Sequence, residues 1–132
     1  MARTMRSGLI SGFILGVAIA LFFAVVIRFV PAHWLVNPLS RAWLYAAQVP
    51  SALLFIPIAM VVARARGESP RQVLLWACSG ALAFDGLVLG FWPALYGQEG
   101  LALTFVATLL LWAFAWIVTA ALLFAPDEDA SA

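Results

Sequence analysis

Four apolar stretches, separated by short polar breaks, occupy most of this chain. Each is long enough to cross a hydrocarbon core of about 30 Å, which takes ~20 helical residues. They fall near residues 8–30, 42–63, 72–96 and 101–125, leaving 126–132 as a short acidic tail. The pattern predicts an all-α membrane protein, a bundle of four transmembrane helices in which residues 1–132 form a single domain. The first stretch follows Arg3 and Arg6, as the core of a signal peptide would. It is longer than the ~7–15 residues of such a core and no Ala-x-Ala site follows it, so an uncleaved first span is expected.

The breaks carry helix-boundary chemistry. Asn37-Pro38 reads as an N-cap followed by proline at the first helical position, which starts the second helix ahead of its apolar stretch. Ser69-Pro70-Arg71-Gln72 reads as a capping box with proline at N1. Pro126 and Asp127-Glu128-Asp129 end the fourth helix, and the last residues are expected to fray into solvent. Pro50 and Pro57 lie seven residues apart in the second stretch, on nearly the same face. Each removes a backbone donor, which predicts a permanent bend or else a hinge for gating or substrate access.

Composition narrows the class. The chain is 66% hydrophobic and 10% charged, with a mean hydropathy of +1.08, where soluble domains run near ~45–50% apolar and ~25% charged. All seven basic residues are arginine, a usage expected of a GC-rich bacterial genome. Arg3, Arg6, Arg64, Arg66 and Arg71 flank one side of the spans; Arg28 and Arg41 flank the other. This asymmetry predicts both termini in the cytoplasm, and localisation to a bacterial inner membrane. Trp34, Trp43, Tyr45, Trp92 and Tyr96 then fall at the outer face, as an aromatic interface belt would.

Several chemistries are disfavoured. The single Cys78 allows neither an intramolecular disulfide nor a Cys-x-x-Cys pair. The single His33 leaves no bis-His haem site and no metal constellation of the usual kind, so no metal and no cofactor are expected. The arginines are few and stand at helix ends, so no nucleic-acid partner is expected. The expected partners are the lipid bilayer and either a second copy of the chain or a larger membrane complex.

One residue departs from the pattern. Asp85 is the only carboxylate within the apolar stretches. A charge at the centre of a bilayer helix costs about 2.5–3.5 kcal/mol on insertion scales, so such residues are rare and need a function or a partner. At 1.5 Å rise per residue, Asp85 lies about 20 Å from the cytoplasmic edge of its helix. On the same reckoning Gln48 reaches that level from the second span, Thr104 and Thr108 bracket it from the fourth, and Arg28 lies about 10 Å further out. These positions predict a polar pocket or buried network of Asp85, Gln48, Thr104 and Thr108, capped by Arg28 and Tyr45. The plainer alternative is a protonated Asp85 that hydrogen-bonds Gln48 and braces the bundle.

Small residues mark close helix contact. Gly8, Gly12, Gly16, Ala20 and Ala24 recur at four-residue spacing, a glycine-zipper stripe along which another backbone can approach. The partner is either a helix of the same chain or the same stripe of a second copy. Gly86 and Gly90 are expected to allow a similar approach in the third span.

The string Asp-Gly-x-x-Leu-x-Phe-x-Pro-x-x-Tyr-Gly, from Asp85 to Gly97, precedes a last helix containing Leu-Leu-Leu-Trp-Ala-Phe-Ala-Trp. Together, over residues 85–116, these resemble a family of small bacterial four-span membrane proteins catalogued as a domain of unknown function. The resemblance implies a four-helix membrane fold and no activity, cofactor or catalytic residue.

The function expected is that of a structural or accessory bundle with a polar site around Asp85. The alternative is a small proton- or substrate-coupled transporter that uses Asp85. A lipid-modifying enzyme ranks below both, because one acid without a second carboxylate, a nucleophile–base pair or a metal makes acid–base catalysis hard to build.

Overall fold

Capping chemistry starts the helices where the sequence places it. The computed structural model describes residues 8–127, and the expected fraying of the tail falls outside the described residues. In chain order come α1 (Leu9–Arg28), α2 (Ala32–Val36), α3 (Pro38–Ala52), α4 (Phe55–Arg66), α5 (Pro70–Phe91), a 3-10 turn (Pro93–Tyr96) and α6 (Gly100–Phe124). The side chain of Asn37 accepts from the amides of Leu39 (2.9 Å) and Ser40 (3.3 Å). Pro38 follows at the first position, where a missing N–H is harmless. Ser69 Oγ accepts from the Gln72 amide at 3.5 Å, the forward half of the expected box. α4 stops at Gly67, whose φ of 65° is left-handed, a conformation that glycine adopts without steric penalty.

Among the described residues four helical stretches, Leu9–Arg28, Pro38–Arg66, Pro70–Phe91 and Gly100–Phe124, are long and apolar enough to cross a membrane. The second breaks between α3 and α4 at Leu53 and Leu54. Pro50 lies within α3 and does not interrupt it. Pro57 has no N–H for the Leu53 carbonyl, which accepts from Ile56 at 3.3 Å instead. That shorter-range bond tightens the chain locally and separates the two helices.

α5 is the central helix, packed on α1, α4 and α6, while α3 and the short α2 lie against α6. α1 and α5 meet over the small-residue stripe, so its partner here is a helix of the same chain. A Cβ on Gly12 would stand 2.6 Å from the Val73 carbonyl oxygen and 2.7 Å from Trp76 Cβ. Gly16 faces the Ala77 backbone in the same way, and Gly80 of α5 returns the fit against the Phe13 backbone. Gly8, Gly12, Gly16, Ala20 and Ala24 are all buried. With no side chain between them, two backbones come close enough for dispersion and weak hydrogen bonds to hold.

Gly86 and Gly90 do not behave as expected. A Cβ on either would meet nothing within 4 Å, and both lie on the exposed side of α5. Four-residue spacing set them on one stripe, but α5 turns the opposite stripe toward α1.

Among the described residues, two apolar clusters fill the interior. One joins Ala52, Ala59 and Ala63 to Val73, Leu74 and Cys78 of α5 and to Ile117, Ala120 and Ala121 of α6. The other, near the opposite end, gathers Ala24, Ile27, Leu35, Val88, Tyr96, Ala102, Val106 and Leu109. At the first end Arg71 ties the start of α5 to the end of α6. Its amide donates to the Pro126 carbonyl (3.0 Å), its Nε to that of Ala125 (3.2 Å), and it pairs with Asp127 at 3.4 Å.

Candidate functional site

Asp85 is enclosed, and its hydrogen-bond partner comes from its own end of the chain. α5 closes at Phe91; Trp92, at φ −145° and ψ 60°, leaves the helix while its amide still donates to the Val88 carbonyl at 2.8 Å. Pro93 lacks an N–H and so cannot continue the ladder. It opens a 3-10 turn closed by Leu95 on Trp92 (3.2 Å) and Gly97 on Ala94 (3.0 Å). The turn carries Tyr96 back along α5, where its hydroxyl donates to Asp85 Oδ1. Tyr96 is 0% exposed and Asp85 5%, against apolar neighbours from α1, α2, α5 and α6.

Gly97 makes the reversal possible. Its φ of 67° is left-handed, and a Cβ there would lie 2.5 Å from Arg28 Cγ and 3.2 Å from Arg28 Cα. The next residue, Gln98, is 6% exposed and points its amide nitrogen at the end of α1. Nε2 donates to the carbonyls of Ile27 (3.0 Å) and Val30 (2.7 Å). The carbonyls at the end of a helix have no partner within it; this amide supplies the donor for Val30 and adds a second to Ile27, which also accepts from the Val30 amide at 3.0 Å. Arg28 adds a 3.4 Å bond from Nη1 to the Leu95 carbonyl. Arg41 does the same for α2, donating to Leu35 (3.1 Å) and Val36 (3.2 Å) with its guanidinium 3.7 Å from the centre of the Phe105 ring.

The network expected at the level of Asp85 does not form. Thr104 is exposed and Thr108 half-buried, and each hydrogen-bonds a carbonyl of its own helix, Gly100 at 3.5 Å and Phe105 at 3.0 Å. Gln48 is half-buried on α3 and makes no hydrogen bond to Asp85. Tyr45 stacks at 5.4 Å on Trp112, whose indole N–H donates to the Tyr45 carbonyl at 2.9 Å. Arg28 is exposed and holds the 3-10 turn from outside, so it does not cap Asp85. The side chains expected around Asp85 thus find their partners within their own helices or at other neighbours.

Tyr96 was expected in an aromatic belt. Trp34, Trp43 and Trp92 are exposed as such a belt requires, whereas Tyr96 is inside. Tyr96 and Gln98 are thus the residues that sequence reasoning missed. The available signal was Pro93, which ends the helix and lets the polar residues just beyond it fold back.

No family model, curated protein or solved structure matches this chain.

One oxygen of the site is left over. Asp85 Oδ2 is buried and has no hydrogen-bond partner. Among the described residues there is no group of three or more His, Cys, Asp or Glu side chains placed to hold a metal ion. An open groove of about 380 Å³ between α1 and α4, and a void of about 20 Å³ among α1, α4, α5 and α6, do not have Asp85 in their linings. Chemically, the arrangement offers one satisfied oxygen that fixes a turn and one acceptor held in apolar surroundings.

Proposed function

We propose that this is a structural or accessory protein of a bacterial inner membrane, crossing it four times with both termini in the cytoplasm. In this reading Asp85 and Tyr96 form an internal brace. The observation that carries it is the hydroxyl–carboxyl bond between two enclosed side chains. A carboxyl group deep in an apolar helix needs a partner, and here the partner holds the turn that packs on α1. The excess of arginine beside one set of helix ends supports the orientation. Broad apolar faces, including Leu53, Leu54, Leu111 and Leu122, remain exposed, as contact with lipid or with another membrane protein requires.

The test compares Asp85→Asn and Asp85→Ala with the unaltered protein for expression, stability in detergent and host growth. The brace reading expects Asn to preserve all three, because its carbonyl oxygen still accepts from Tyr96, and Ala to lower stability. A stable Asp85→Asn protein with the growth phenotype abolished would count against it.

The unpartnered Oδ2 favours a second reading, a small transporter in which Asp85 binds a proton or substrate. That reading expects proton flux in liposomes that disappears in Asp85→Asn.

A further inference from the structure

We propose that the groove between α1 and α4 holds one acyl chain of an anionic phospholipid, with its phosphate at Arg66. The groove lies between the first turns of α1 and the last turns of α4, and its volume of about 380 Å³ is at the lower end of the ~300–1,000 Å³ usual for small-molecule sites. Ile10 and Ile14 line it from α1, Val61, Val62 and Ala65 from α4, and the exposed Arg66 lines it at the end of α4. Ser11 also lines the groove, and its hydroxyl donates to Glu68 Oε2 and so links α1 to the loop after α4. Glu68 is thereby engaged, and among the described residues no carboxylate lies within ion-pair distance of Arg66.

The shape selects the occupant. A second helix approaches closely over small residues, but this groove is walled by branched side chains, with Ile10, Ile14 and Val61 about two-thirds exposed. A flexible methylene chain fills such a slot without needing a flat face. An arginine beside an anionic lipid surface is worth roughly a fivefold preference, which a zwitterionic headgroup does not supply. Arg66 lies on the arginine-rich side, where headgroups of that leaflet would stand.

This inference takes the membrane reading above as its premise. Recovery of the native chain in the soluble fraction would overturn both; the lipid outcomes bear on the groove alone. The experiment is native mass spectrometry of the detergent-solubilised protein titrated with phosphatidylglycerol or phosphatidylcholine of identical acyl chains. The expected result is one retained phosphatidylglycerol, preferred about fivefold, unaffected by millimolar inorganic phosphate. Arg66→Gln should equalise the two lipids without abolishing retention. Val61→Trp, at an exposed position where the core is not disturbed, should reduce retention of both several-fold with an unchanged melting temperature. Equal retention of the two lipids by the unaltered protein, displacement by phosphate, or full retention in Val61→Trp would each overturn the proposal.

Discussion

Tyr96 donates its hydroxyl to Asp85 Oδ1 across eleven residues and a proline break. The bond joins the one carboxylate in the apolar stretches to the largest of the fully buried side chains. It converts the end of α5 from a simple stop into a folded-back turn that α1 and α6 pack upon.

Tyr96→Phe should therefore destabilise the protein by about 1–3 kcal/mol, since it leaves both oxygens of Asp85 buried without a partner. Asp85→Leu combined with Tyr96→Phe should recover much of the loss, because neither polar group then remains. Unfolding by denaturant in mixed micelles measures both, and additive losses in the double variant would contradict the pairing.

The glycines of α1 and α5 separate into two classes. Gly16→Ala places a methyl group against the Ala77 backbone, which cannot yield as a flexible side chain would, and should cost about 1–3 kcal/mol. Gly86→Ala and Gly90→Ala point into open space and should be neutral or stabilising by up to ~1 kcal/mol, from helix propensity alone. Thermal melts of the three variants side by side check the contrast.

Gln98→Ala should leave the Val30 carbonyl without its donor and remove the second donor from that of Ile27, lowering stability by about 1–3 kcal/mol. Gln98→Glu should recover nothing at neutral pH, because an ionised carboxylate offers acceptors to acceptors. Hydrogen exchange at Val30, whose amide donates to Ile27 at 3.0 Å, should quicken in both variants.

The break in the second long stretch should depend on Pro57 and not on Pro50. Pro57→Ala restores a donor for the Leu53 carbonyl and should let α3 and α4 join, lengthening the distance between spin labels at the exposed Trp43 and Val61 positions. Pro50→Ala should leave that distance unchanged, since α3 already runs through Pro50.

What was legible in the sequence was local. Four apolar stretches of membrane-crossing length, the Asn37 and Ser69 caps and the stop at Pro126 follow from composition and from backbone groups satisfied within a few residues. The Gly8–Ala24 stripe was legible as a close-packing face for the same reason, since residues four apart share one side of a helix.

Its partner was not legible, nor was the surrounding of Asp85. Helical rise gives only an approximate depth for Gln48, Thr104 and Thr108 relative to Asp85. It gives no rotation about each helix axis, and Thr104 and Thr108 bond carbonyls of their own helix instead. The tertiary structure decided the rest through chain reversal. Pro93 and the left-handed Gly97 bring Tyr96 under α5 and Gln98 to carbonyls as far as 71 residues earlier. Such pairs exist only once α1, α5 and α6 have packed, because the contacts that hold them are with residues distant in the chain.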